Sequence, residues 1–436
     1  MSRRSRGTPR ELRELRDATA GRRRRRTTPA AAIRRRRLTA LGLLVIVIMI
    51  GVGAAIALSS GSSRPKPRYD PGTIGAPSTL TPTTTPVKAP VSHAPPFHPS
   101  AAATKLVAKM TLAQQVAQLF LVSVDGTGQD AVARLGATPW GGFVFDSANY
   151  VSDSQITTLV SDVVAAEHNL GSITPLMTIA QAGGFGTTVR DLPPAAEQAV
   201  GETGNAATAE TQALAAGKAL KRLGFQMTIA PWVDVDTPDG SLTGDLYSSD
   251  PSTVARFGVA ALHGYQQAGL LAAPAHFPGE GGASADPDQM TATVGGSLAA
   301  LHARDLVPFV ALVSDAPVIV MSNAEYTAFD GVTPASLLPA AVKLLRDTLG
   351  YGGVVMSDDL DATLNATGES PGVVAVQALR AGDDLLYISG SPSEHAVAYS
   401  AVLSAAMHSA ADRALVRAAV LRDLMLKSRV GPLPAA

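Results

Sequence analysis

From Ala101 to the end of the chain, short runs that are apolar at every position alternate with longer stretches in which apolar residues recur every three or four positions. The short runs predict eight strands: Gln118–Val124, Gly141–Phe145, Pro175–Ala180, Gln226–Val235, Leu270–His276, Pro317–Ser322, Gly352–Ser357 and Asp384–Ser389. Strands apolar along their whole length are buried on both faces, as parallel sheets covered by helices require. The intervening stretches, among them "AETQALAAGKALKRLG", "DPSTVARFGVAALHGYQQAG" and "TPASLLPAAVKLLRDTLG", carry the helical period. Several begin at Ser, Thr or Asp and stop at Gly, the residues that satisfy helix ends. Eight β/α units predict an α/β fold, a (β/α)8 TIM-type barrel whose active site lies at the carboxyl ends of the strands. A doubly wound open sheet is the alternative. Its dinucleotide-binding version is weakened because no Gly-x-Gly-x-x-Gly follows an early strand.

Upstream the pattern is different. Leu38 to Ser63 carries no charge and follows the run Arg34–Arg37. About 20 apolar residues cross ~30 Å of hydrocarbon, so residues 38–59 are expected to be a single transmembrane helix. A cleaved signal peptide is the other reading, but its apolar region runs ~7 to 15 residues. Residues 60–100 form a Pro- and Thr-rich spacer, with 10 prolines in 61–100, and residues 101–436 form the barrel domain.

Charge sharpens this division. Residues 1–37 hold 15 Arg and 3 acids, a net of +12, which leaves 21 basic and 33 acidic residues, a net of −12, in the remainder. The positive-inside rule then places residues 1–37 in the cytoplasm and the barrel outside, tethered to the cell membrane. The basic arm is suited to anionic lipid, whereas nothing aromatic or structured accompanies it to suggest nucleic acid. The absence of cysteine removes disulfides and a lipid anchor through an N-terminal Cys.

In a barrel, the polar residues just after each strand face the site. They are Asp146, Asp234, His276 and the acids Asp358 and Asp359, with Glu280, Asp286 and Asp288 on the loop after His276. Two opposed carboxyls, one nucleophile and one proton donor, are the minimum for hydrolysing a glycosidic bond with retention. A carboxylate ending a buried strand, as Asp358 does, is costly without a task or partner. Ser-Asp also begins helices as a cap, and His276 also reads as a satisfied buried histidine. No His pair has ligand spacing, so neither a metal nor a cofactor is expected.

In order along the chain, "GGFVF", "APWVDV", "AHFPGEG", "PASLLPAAVKLLRDTLGYGGVVMSDDLDA" and "AGDDLLYI" resemble the N-terminal barrel domain of glycoside hydrolase family 3, in particular its single-domain bacterial β-N-acetylhexosaminidases, over about Leu106 to Leu426. The resemblance implies a retaining glycosidase acting on carbohydrate such as cell-wall glycan. Asp358 matches the family nucleophile, His276 a histidine that holds sugar hydroxyls, and Asp234 and Asp286 join it as substrate-binding residues. The sequence departs from the pattern elsewhere. Ala275 stands for a lysine, Glu280 for a second histidine, and Asp288 for the histidine of the acid/base pair. Ala180, Phe185 and Leu246 replace an acid and two arginines. Either Asp288 or Glu280 is then the acid/base. Each lost charged hydrogen bond forfeits ~1.5 to 3 kcal/mol, so the resemblance also allows an inactive barrel used for glycan binding or scaffolding.

Overall fold

The computed structural model describes residues 97–434 apart from Thr243. The expected basic arm, transmembrane helix and most of the spacer lie outside the described residues. Among those described, no helix is long and apolar enough to cross a membrane.

The eight predicted strands all form, each shorter than its apolar run. They are β1 (Phe120–Ser123), β2 (Gly142–Phe145), β3 (Leu176–Ala180), β4 (Met227–Ile229), β5 (Leu271–Ala272), β6 (Val318–Val320), β7 (Val354–Met356) and β8 (Leu386–Ile388). Every pairing is parallel, and β8-β1-β2-β3-β4-β5 forms one continuous sheet while β6 pairs β7. Single bridges from Phe277 to Met321 and from Met356 to Leu385 join the two pieces. The strand order therefore closes on itself as a (β/α)8 barrel, and the open-sheet alternative falls.

Two apolar layers explain the continuous hydrophobicity of the strands. Leu121, Val144, Leu176, Met227, Ile229, Leu271, Val318, Val320, Val354 and Met356 fill the barrel interior. Their strand neighbours Phe120, Phe143, Met177, Ile319 and Val355 point outward under the helices. Leu426 and the half-buried Val430, from the C-terminal helix Ala410–Lys427 and the turn after it, pack with the interior layer.

Helix boundaries follow local chemistry. The helix Ala206–Leu223 is capped by Asn205 and stops at Gly224, whose φ of 101° is left-handed. Asp250 caps Pro251–Gln267 by accepting the Thr253 amide, with Pro251 at the first turn where its missing N–H costs nothing. The stretch "TPASLLPAAVKLLRDTLG" is not one helix. Pro339 cannot continue the preceding turn, so a short 3-10 turn, Ala335–Leu337, gives way to a new helix beginning at Pro339. The run Asp384–Ser389 is likewise trimmed at its start. Asp384 is drawn into a buried ion pair with Arg346 and Arg422 and accepts the Val355 amide.

Candidate active site

The carboxyl ends of β4, β5, β6 and β7 converge on one cluster of polar side chains. Asp234 follows β4 and is fully buried. Its Oδ1 accepts the backbone N–H groups of Glu280 at 2.7 Å and His276 at 3.4 Å, and its Oδ2 lies 2.9 Å from His276 Nδ1. The same Nδ1 is 3.3 Å from Glu280 Oε1, and Glu280 Oε2 accepts the Ser322 hydroxyl at 2.8 Å. One buried aspartate thus orders the loop after β5 through backbone and side chain together.

The glycines of "HFPGEGG" make that loop possible. Gly279 has φ 113°, and a Cβ there would sit 2.7 Å from Asp305 Cβ. A Cβ on Gly281 would lie 2.0 Å from the Val235 carbonyl oxygen. Both positions need a residue without a side chain.

Asp358 follows β7 and is 7 % exposed. Its Oδ1 accepts the Asp359 amide at 2.9 Å, and its Oδ2 accepts no hydrogen bond from any described residue. Asp359 faces the helix instead. It caps Leu360–Thr367 by accepting the Asp361 amide, and it accepts the Ser389 amide at 2.9 Å. The two adjacent aspartates therefore divide the roles that the motif left open, one capping and one turned toward the cluster.

The loop acids also separate. Asp286 Oδ1 accepts the Asp288 amide at 3.0 Å, and its Oδ2 accepts the Gln289 side chain, so Asp286 braces the turn. Asp288 reaches solvent at the rim, but its inner side is hemmed by protein, and its charge is felt by Asp358, Glu280 and His276.

Electrostatics follow from this crowding. Burial, then the neighbouring Asp288 charge, hold the Asp358 carboxyl well above the usual range, and His276 pulls it back only in part. Burial pushes Glu280 up to about 8 and Asp359 up to about 7. Asp288 is raised too, chiefly by burial. Burial alone would lower His276, but Glu280, Asp234 and Asp358 outweigh it and hold the imidazole well above its ordinary value. The arrangement sets one imidazole against the Asp234 and Glu280 carboxyls, with Asp358 and Asp288 within electrostatic reach.

Where the resemblance calls for charged sugar-binding side chains, the residues are apolar. Ala275 is fully buried and Ala180 half-buried at the strand ends, Leu246 is buried, and Phe185 is 65 % exposed. Trp232, one residue past cis-Pro231, lays its ring against His276 with centroids 5.2 Å apart. Its Nε1 is buried without a partner. The four cavities that stand out among the described residues are elsewhere: at Ile173–Leu176, at Leu106–Gln118, beneath Val332–Pro339 and beside Thr127–Gln129.

Sequence reasoning passed over Ser322, Asn323, Trp232 and Glu197. Asn323 donates to the Asp359 carbonyl at 2.7 Å, accepts the Ser336 hydroxyl at 2.6 Å and touches Asp288. Glu197 is buried behind Trp232 and accepts its backbone N–H at 2.9 Å. Ser322 and Asn323 carry the same signal as Asp358, polar residues directly after an apolar strand. Glu197 lies within a helix far from any strand end and carries none.

Asp234, His276 and Glu280 place ligand atoms within 4.8 Å of one another, a spacing that could hold a metal ion. Sequence spacing does not show this juxtaposition. Asp234 and Glu280 are engaged with His276 Nδ1, two amides and Ser322. A cation there would have to displace the Nδ1 proton.

A closed parallel barrel with several carboxyl groups near its carboxyl-end mouth has an architecture that suits a glycosidase. The model of the glycosyl hydrolase family 3 N-terminal domain matches residues 111–425. A β-hexosaminidase of Methylococcus capsulatus is 30% identical over 300 residues, covering 66% of this chain and 88% of that protein. The β-hexosaminidase LpqI of Mycobacterium tuberculosis is 32% identical over 289 residues, covering 62% of this chain and 71% of its own. Among solved structures, a family 3 β-N-acetylglucosaminidase from a Paenibacillus species superposes with a TM-score of 0.69 at 28% identity, covering 74% of this chain and 63% of that one. The M. tuberculosis LpqI structure gives 0.68 at 26% identity, covering 78% and 99%. The chain belongs to glycosyl hydrolase family 3, and by that membership it is a glycoside hydrolase.

Proposed function

We propose that the barrel is a β-hexosaminidase-type glycosidase that cleaves with retention, Asp358 acting as nucleophile and Asp288 as acid/base. The observation that carries this reading is the buried Asp358 carboxyl, whose Oδ2 is left without a partner while Asp288 is its strongest neighbouring charge. Attack by Asp358 on the anomeric carbon forms a glycosyl ester as the Asp288 proton passes to the leaving oxygen. Water, deprotonated by Asp288, then releases the sugar. Asp288 suits the donor role better than Glu280. Glu280 is buried with one oxygen against His276 and the other bonded to Ser322, whereas Asp288 reaches the rim through which a leaving group exits. His276 is oriented by Asp234, and its charge is felt by Asp358.

The uncharged run Leu38–Ser63 behind four arginines supports a membrane tether with the barrel on the extracytoplasmic side, where cell-wall glycan is the available substrate. The test is turnover of a panel of aryl β-glycosides by the purified protein and by Asp358→Ala. Hydrolysis lost in the variant supports the reading, and equal hydrolysis by both defeats it. A second reading, glycan binding without turnover, draws on the apolar Ala180, Leu246 and Ala275 at positions where the family pattern has charged residues. Saturable glycan binding with no hydrolysis by the wild-type protein would establish it.

A further inference from the structure

Asp358 continues the interior face of β7, the line of Val354 and Met356. Along β8 and the residue before it, Leu385 and Tyr387 take the interior face, while Leu386 and Ile388 point outward under the helices. Met356 is bridged to Leu385 in parallel register, so Asp358, two residues on, stands level with Tyr387 on the neighbouring strand. Two hydrogen bonds fix the strands at this height. The Ser357 amide donates to the Leu385 carbonyl at 2.9 Å, and the Tyr387 amide donates to Ser357 Oγ at 2.9 Å.

Tyr387 is half-buried, although Leu385 beneath it is fully buried. A side chain on the interior face of a filled barrel meets solvent only through the mouth, so the phenol rises there. Burial, then the charges of Asp359, Asp288, Asp358 and Asp146, hold it well above its ordinary value, and it remains a neutral O–H donor. Among the described residues that hydroxyl has no hydrogen-bond partner, and neither has Oδ2 of Asp358. A donor and a nucleophile thus stand side by side, both open to what enters the mouth.

We infer that Tyr387 is a further catalytic residue, its phenol donating a hydrogen bond to the C2 substituent of the sugar whose C1 Asp358 attacks. The inference rests on the glycosidase reading. The leaving oxygen departs from the face opposite the nucleophile, so a group beside Asp358 meets either the ring oxygen or the substituent on C2. A donor to the ring oxygen would oppose the positive charge that develops there. A donor to the C2 hydroxyl oxygen, or to the carbonyl oxygen of a C2 acetamido group, makes a contact that strengthens in the oxocarbenium-like transition state. Such a contact raises kcat more than it tightens ground-state binding.

Tyr387→Phe removes the hydroxyl and keeps the ring, so the packing below the mouth is preserved. The full-length chain and this variant are compared on the 4-nitrophenyl β-glycosides of N-acetylglucosamine, glucose and 2-deoxyglucose. The variant should lose about tenfold or more in kcat/KM on the better of the two 2-substituted substrates, mainly through kcat, and less than about twofold on the 2-deoxy substrate. A loss that does not depend on the C2 substituent, or no loss at all, overturns the inference and leaves the glycosidase reading standing. If the wild-type protein hydrolyses none of the three, the glycosidase reading falls and calorimetric binding decides the contact. A preference for N-acetylglucosamine over 2-deoxyglucose that the variant loses sustains it. Equal preference in both proteins, or no binding by either, overturns it.

Discussion

Nδ1 of His276 lies 2.9 Å from Oδ2 of Asp234, a contact across 42 positions of sequence that ties the end of β4 to the end of β5. Removing the imidazole leaves Asp234 and Glu280 facing one another without a cation between them. His276→Ala should therefore destabilise the fold by about 3–5 kcal/mol, the usual cost of breaking a buried ionic pair from one side. Denaturant unfolding at neutral pH measures it.

Stability should fall with rising pH. Glu280 titrates at about 8 in the folded chain against an ordinary 4.5, so the native state holds a proton that the unfolded state has given up. Its contribution is complete below about pH 4.5 and disappears as pH climbs through about 8. Asp359, held at about 7, acts in the same sense. The melting temperature should drop between about pH 5 and pH 9, and Glu280→Gln should flatten the slope. A melting temperature that rises across this interval contradicts the assignment.

If Asp288 delivers the leaving-group proton, Asp288→Ala should slow cleavage of alkyl glycosides by about 100-fold or more, within the usual range for a general acid. Substrates with an acidic leaving group, such as dinitrophenyl glycosides, should lose far less, because their departing oxygen needs no proton. Equal losses for both leaving groups would exclude Asp288 from the role.

Gly279→Ala forces a side chain into left-handed backbone 2.7 Å from Asp305 Cβ. The expected cost is ~1–3 kcal/mol in stability. Because Glu280 follows directly, activity should fall along with thermal stability, and a fully active, fully stable variant would show that the loop has slack.

Asp383 lies 1 % exposed with no hydrogen-bond partner on either oxygen, and burial followed by the adjacent Asp384 charge raises its carboxyl well above the usual range. Asp383→Ala should raise stability by about 1–3 kcal/mol, the cost of one unsatisfied buried group, without altering turnover. Urea unfolding beside an activity assay tests both halves.

The barrel was legible in the sequence because strands buried on both faces must be apolar throughout, and eight such runs separated by capped helical stretches leave few ways to bury them. His276, Glu280 and Asp358 were legible for a related reason, since a polar residue at the end of such a run stands out. Asp286 and Asp288 were read as a sugar-binding residue and an acid/base candidate, and only the folded turn shows one accepting donors of its own loop while the other reaches the rim. The resemblance had already singled out Asp358, and the fold adds that its neighbour Asp359 meets the amides of Asp361 and Ser389. The gathering of Asp234, His276 and Glu280 into one charge system, and the placing of Trp232 over it, belong to the tertiary structure alone. Periodicity along a chain records which face of an element is buried, whereas charge coupling and pKa depend on distances between elements that only closure of the barrel sets.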